Sequence, residues 1–448
     1  MAGSVNRPRA VLWDLKKRYP IVSRAEGIYL YDEQGKRYID GSGGASCVTC
    51  IGHGVQEIIE AAEAQLRKVV FSPSHVFANQ PVLELADLVA EMAPGSLNRT
   101  WFVNGGSEAV DNAVKLARQY QIERGNLSKY VVISRWQGFH GNTIGALGVG
   151  GHTFRRRRYL PMFEDSPHIP PAYCYRCYFA KTYPQCDLIC ARVLESAICQ
   201  QGPENVAAFI AEPVVGATTG AVAPPDGYFQ IIREICDRYD VLFIADEVIT
   251  GFGRTGRNFG IEHWSVEPDI VATGKGMSAG YTPLGAVILK DKIIDLFEEK
   301  GANVIGGHTF ALNPLSAAIG VAVLRYMKER KLVERSREMG AYLKAQLAPL
   351  ASHPSVGEVR GIGMLAAIEF VRDKESKAPF PVETRIAHKV VDAALERGLV
   401  VYPCTGTVNG VAGDFILMAP PFVITREQVD DYVGMLDSAL TAVEGSLP

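Results

Sequence analysis

Asp246 and Lys275 lie 29 positions apart, each at the end of an apolar run. Residues 241–245, VLFIA, form an unbroken apolar stretch of the kind that makes a fully buried parallel strand, and it stops at Asp246 and Glu247. A second run, 270–272, ends on Thr273, Gly274 and Lys275. The intervening length is ample for a crossover between parallel strands. Both groups are therefore expected at one carboxyl edge of a sheet, where open α/β sheets hold their ligands. A lysine in a desolvated pocket becomes a nucleophilic amine able to form a Schiff base with a carbonyl. An aspartate nearby can keep a pyridine nitrogen protonated. Singly, an Asp or Lys at a strand end is most often just solvated. The pair carries the reading, together with glycines on both sides of Lys275 that would let the backbone approach a flat ligand.

The stretches IADEVITGFGRTG (244–256) and GKGMSAGYTPLGAV (274–287) resemble the signature of the class III, or omega, aminotransferases. The resemblance extends from about residue 30 to about residue 425. It implies an α/β protein of the fold type I pyridoxal phosphate architecture, with a large, mainly parallel-sheet domain and a smaller α+β domain formed by the two chain ends. It makes Lys275 the Schiff-base lysine, Asp246 the partner of the pyridine nitrogen and Val248 a side chain packed on the ring, with pyridoxal 5'-phosphate as cofactor.

Other stretches extend this set. A short strand, 101–103, runs into Asn104, Gly105, Gly106 and Ser107 and then a helical pattern, EAVDNAVKLARQY. Glycines and a hydroxyl opening a helix make an anion site, because free N–H groups and the helix dipole face the ligand. Most such turns are only caps; this one is similar to the family's phosphate cup, which implies Gly106 and Ser107 as phosphate contacts. The strand 131–134 leads into RWQGFHGNTIGAL, where an aromatic and a histidine would ordinarily be core residues. By resemblance Phe139 stacks on the cofactor ring and His140 lies beside it. The strand 206–210 ends on Ala211, Glu212 and Pro213, and Glu212 carries over as a cofactor-site carboxylate. In GGHTFALNP, 306–314, Thr309 matches the threonine that reaches the cofactor phosphate of a neighbouring subunit, which implies a homodimer.

Residues 168–190 stand apart as an expected insertion at the surface or the dimer interface. Cys174, Cys177, Cys186 and Cys190 are spaced C-x2-C-x8-C-x3-C, and four thiolates so spaced could hold a structural zinc or an iron–sulfur centre. Free thiols or one disulfide are the plainer reading, and no metal is expected in the active site. Cys47 and Cys50 form a CxxC with no partner pair nearby.

At 448 residues the chain exceeds one small core. The divisions expected are an N-terminal segment, 1–60, packing with the small domain; a large cofactor-binding domain, 61–330; and a C-terminal small domain, 331–448. Residues 28–39 read as a hairpin turning at Asp32 to Gly35. Net charge is −3, with 47% hydrophobic and 21% charged residues, so no nucleic-acid surface is implied. The basic cluster 155–158 reads as a solvated loop or a carboxylate contact. No apolar stretch is long enough to span a membrane. The N-terminus, mildly basic through Arg7, Arg9, Lys16, Lys17 and Arg18, carries no apolar signal core, and nine cysteines argue for reduced thiols; both favour a cytoplasmic location.

The expected reaction is ping-pong transamination between a small-molecule amine, or an omega-amino or amino acid, and a keto acid such as pyruvate. Family members that handle ornithine-like amino acids carry an Arg just before the Ala-Pro-Pro of the C-terminal motif. Here Leu417 and Met418 stand there, and residues 402–421 contain no Arg or Lys. Ser46 is small where several amine:pyruvate members have Trp, which suggests a donor of some bulk. The alternatives are lyase, decarboxylase or aminomutase chemistry on the same fold, a non-catalytic cofactor-binding protein and, least favoured, a structural metal–thiolate protein.

Overall fold

The computed structural model describes residues 19–164 and 166–447. The basic N-terminal positions 7–18 lie outside the described residues.

A seven-stranded sheet forms the centre. In spatial order its strands are Leu97–Val103, Gly285–Lys290, Ile270–Thr273, Leu242–Asp246, Val206–Ala211, Val131–Arg135 and His168–Ile169. The strands Leu242–Asp246 and Ile270–Thr273 are parallel neighbours, with Asp246 paired to Ala272. Only Gly285–Lys290 runs antiparallel to its neighbours. Residues 274–284 hold no more than a 3-10 turn, Lys275–Met277. That is too short for a crossover, so the chain returns antiparallel.

Side-chain alternation divides the interior between the two faces of this sheet. Phe209, Phe243, Val271 and Ile288 enter the larger core, whereas Ile210, Leu242, Ile244, Ala272 and Val287 face the second one. That second core is closed by the helix Gly106–Glu123 through Val110, Ala113 and Ala117. The same parity places Asp246 on that helix's face.

The hairpin is present as Tyr29–Asp32 and Arg37–Asp40, preceded by Val22–Glu26. Its turn is fixed by Asp32, whose Oδ1 accepts the amides of Gln34 and Lys36 at 3.0 and 2.9 Å. Leu399–Val400 joins Arg37–Asp40 in parallel, so one sheet unites both ends of the chain. A further antiparallel sheet orders Val356–Ile362, Leu365–Phe370, Ala412–Met418 and Tyr402–Val408, with the helices Ile386–Glu396 and Arg426–Glu444 near it. Among the described residues no helix is long and apolar enough to cross a membrane.

The cysteine-bearing stretch 168–190 starts as the sheet's edge strand and docks on Glu369 of the C-terminal sheet. That buried carboxylate accepts from Tyr173 and Arg176 and pairs with Arg360 Nη1 at 2.8 Å. The four-thiolate metal centre is not assembled. Cys174, Cys177, Cys186 and Cys190 line one cavity of about 20 Å³ as free thiols, but among the described residues no three His, Cys, Asp or Glu side chains are arranged to hold a metal. Spacing alone does not bring four sulfurs to one point, and here Tyr173 and Arg176 hold the stretch against Glu369.

Candidate active site

Asp246 closes its strand with Oδ1 accepting the Val248 amide at 3.1 Å and Oδ2 facing His140 Nδ1 at 2.7 Å. Both side chains are buried, and among the described residues His140 Nε2 has no hydrogen-bond partner. Glu247, its neighbour in sequence, turns into the core instead. It accepts from Thr250 Oγ1 and from the amides of Gly260 and Ile261, each at 2.8 Å. Burial pushes the Glu247 carboxyl up to about 7, and it serves to fix the short helix Gly260–Trp264 rather than the site.

Lys275 opens the 3-10 turn after the adjacent strand, with φ at 39°, in the left-handed region that costs a non-glycine residue about 1 kcal/mol. Burial holds its amine below the usual lysine range, opposed in part by Cys47, Asp246 and Glu212 and reinforced by the charge of Arg254. A Cβ on Gly276 would meet Phe252 Cβ at 3.2 Å, so that glycine serves protein packing, while the Cβ position of Gly274 lies 3.5 Å from the Gly106 amide nitrogen, an ordinary contact distance. Gly274 thereby sets the root of Lys275 against the start of the helix Gly106–Glu123.

That helix begins at Gly105 and Gly106 without a side-chain cap, so its first amides are free for an anion. Ser107 Oγ accepts the Asn142 amide at 3.0 Å, which leaves its hydroxyl hydrogen available. Val248 lies over the turn: a Cβ on Gly106 would come within 2.6 Å of Val248 Cγ1.

The loop carrying Phe139 and His140 is held by Glu212. Its Oε1 accepts the Phe139 amide at 2.9 Å and its Oε2 the Gly216 amide at 3.2 Å, while Arg135 Nη2 donates to its carbonyl. Burial, with Asp246 nearby, raises the Glu212 carboxyl, and His140 opposes that. Glu212 is thus occupied with backbone amides, and through one of them it holds the backbone that carries the half-buried Phe139. Thr309 is exposed and apart from this cluster, on a segment whose His308 reaches Asn112 Nδ2 at 2.9 Å.

Two residues near the site lay outside the sequence assignments. Arg254 is 1% exposed and donates through Nη1 to the carbonyls of Met364 and Pro420, with Nε and Nη2 unpartnered among the described residues. Arg155 lies with its guanidinium carbon 4.8 Å from the centre of the Phe139 ring. Arg254 sits inside the GFGRTG motif, a signal that was legible; nothing in the sequence singles out Arg155 among four adjacent arginines.

An uncapped helix N-terminus with a free hydroxyl, a carboxylate oriented by a histidine and a buried amine below its usual pKa fit a phosphorylated pyridine aldehyde. With the sheet order, they place the protein in the fold type I pyridoxal phosphate class. Comparison with known proteins narrows this. The chain belongs to the class III aminotransferase family, whose model matches residues 15–440. It is 41% identical over 436 residues to the uncharacterised aminotransferase YodT of Bacillus subtilis, covering 97% of this chain and 98% of the relative. It is 36% identical to the putrescine–pyruvate aminotransferase of Pseudomonas aeruginosa, covering 94% and 91%. An (S)-enantioselective omega-transaminase from Thermomicrobium roseum superposes with a TM-score of 0.90 at 36% identity, over 98% of this chain and 96% of the other. The protein is a pyridoxal-phosphate-dependent aminotransferase, moving an amino group from an amine or amino acid to a keto acid.

Proposed function

We propose that Lys275 carries the cofactor and moves the proton in this transfer, in a homodimer that accepts amine or omega-amino donors and uses pyruvate as acceptor. The observation that carries the reading is the Lys275 amine, held below its usual pKa by burial and set beside Gly106 through Gly274. When bound, pyridoxal phosphate supplies a carbonyl to receive the amino group and a ring to delocalise charge developed at the substrate carbon. Lys275 Nζ, whose charged form is disfavoured by burial, would be the nucleophile toward that carbonyl and, as a free amine, would carry the proton released from the substrate carbon. Asp246 would face the pyridine nitrogen, and His140 Nδ1, 2.7 Å from its Oδ2, holds that carboxyl group in place. Gly106 and Ser107 seat the phosphate, Val248 and Phe139 enclose the ring, and Glu212 fixes Phe139 through its amide.

The exposed Thr309 is assigned to the partner's phosphate. Support comes from the apolar surface near it in the chain: Ile305 and Phe310 are 75% and 58% exposed, and Phe310 meets the exposed Phe71 edge-on at 5.9 Å. So much apolar surface fits an interface. The sheet joining Arg37–Asp40 to Leu399–Val400 supports an N-terminal segment packing with the small domain, although a division at residue 60 would fall within the helix Gln56–Lys68. Nine free thiols fit a reducing, cytoplasmic setting. Pyruvate and a diamine-like donor are suggested by the name of the Pseudomonas relative, and the small Ser46 suits bulk.

Borohydride reduction of the holoenzyme followed by peptide mapping tests the assignment. The added pyridoxyl mass is expected on the peptide containing Lys275, and its appearance on a different lysine would refute the reading.

A further inference from the structure

We infer that Arg155 binds the carboxylate of the keto acid acceptor, resting on the site assigned above. An acceptor such as pyruvate brings a carboxylate that needs a cationic fork. The C-terminal segment 402–421 has no Arg or Lys to provide it. Arg155, half-buried on the short helix Thr153–Arg156, brings its guanidinium to 4.8 Å from the centre of the Phe139 ring, the ring assigned to the cofactor stack. Its neighbours in sequence turn elsewhere: Arg156 lies over Trp136 and Phe163, and Arg157 over Phe154.

The surroundings of Arg155 leave its charge uncompensated. Among the described residues no carboxylate is bonded to it; what it meets is uncharged. Phe139 is aromatic. His152, edge-on to Phe139 at 5.9 Å, is pushed down to about 4 by burial and by the Arg155 charge, so it is neutral near pH 7. The buried Cys404 thiol, on the strand Tyr402–Val408, feels Arg155 more strongly than any other charge, yet burial raises it well above the usual range. A cation beside the stacking ring, in neutral company among the described residues, recognises an anion that arrives with the substrate.

The experiment compares two acceptors of equal chain length, pyruvate and propanal, with one amine donor, in wild-type holoenzyme and in Arg155→Met and Arg155→Lys. The expected result in R155M is a fall of ten-fold or more in the pyruvate-to-propanal ratio of kcat/KM, mostly through a higher KM for pyruvate, with R155K recovering part of it. An unchanged ratio, or an equal loss on both acceptors, would overturn the inference. Should R155M not fold, Arg155→Gln gives the same comparison. Failure of the underlying site assignment is a separate outcome, visible in wild type as borohydride labelling away from Lys275.

Discussion

Asp246 and His140 meet at 2.7 Å although their strands are not neighbours in the sheet. The strand Val206–Ala211 lies between them, and the residue after it, Glu212, holds the arching loop by the Phe139 amide at 2.9 Å. Three strand ends thus build one support for a carboxylate. The account predicts graded effects along it. Asp246→Asn, which removes the charge at the pyridine nitrogen, should lower kcat by about 10²–10⁴-fold, and His140→Ala, which removes only the orienting bond, by about 10–100-fold. Equal losses from both, measured with one donor and pyruvate, would contradict the division of roles.

Glu212→Ala leaves the buried amides of Phe139 and Gly216 without acceptors. A stability loss of about 2 kcal/mol is expected from the orphaned donors, together with weaker cofactor retention as Phe139 loosens. Glu212→Gln keeps one carbonyl acceptor and should fall between. Denaturant unfolding with cofactor titration checks both; full retention of cofactor in the Ala variant would count against the support role.

Gly106→Ala places a methyl 2.6 Å from Val248 Cγ1. Either Val248 or the helix start must move, at about 1–3 kcal/mol, and cofactor affinity should drop about ten-fold. The double variant with Val248→Ala restores the space, so its phosphate seat should recover relative to G106A. Purely additive losses in a cofactor-binding cycle would show that the two positions are independent.

His152 and His168 are both pushed down to about 4, in each case first by burial and then by a neighbouring arginine. Below the usual histidine value of 6.5 the unfolded chain takes up protons that the folded chain refuses. Stability is therefore expected to be at its plateau above 6.5 and to fall as pH drops toward 4, by on the order of 3 kcal/mol for each histidine. Unfolding free energies measured from pH 7.5 to 4.5 should show this slope, and it should diminish in His168→Gln. A flat profile across that window would be contrary to the expectation.

Much of this was legible in the sequence because strand ends are marked by abrupt changes from apolar to polar. The runs before Asp246, Lys275 and Glu212 are strands, and a glycine pair before an apolar periodicity opened the helix Gly106–Glu123. What stayed hidden depends on contacts distant in sequence. Glu212 reads as a ligand-facing carboxylate, yet its oxygens go to amides of Phe139 and Gly216, the former 73 residues away. Glu369 gives no sign that it will collect Tyr173, Arg176 and Arg360. The cysteine spacing leaves both a metal centre and the plainer reading of free thiols open, because spacing cannot tell four sulfurs lining a cavity from four converging on a point. The reversal at Gly285–Lys290 follows only once the short 274–284 connection is seen to lack a crossover helix.

The most direct test of the central claim is the visible absorption of the holoenzyme through one complete cycle, in wild type and in Lys275→Ala. The account predicts a band in the wild type that bleaches with a subset of amines or omega-amino acids and returns on adding pyruvate, with no such cycle in K275A at the same cofactor loading. A wild-type band that no amine or amino acid bleaches, or a K275A protein that cycles as fast as wild type, would contradict it.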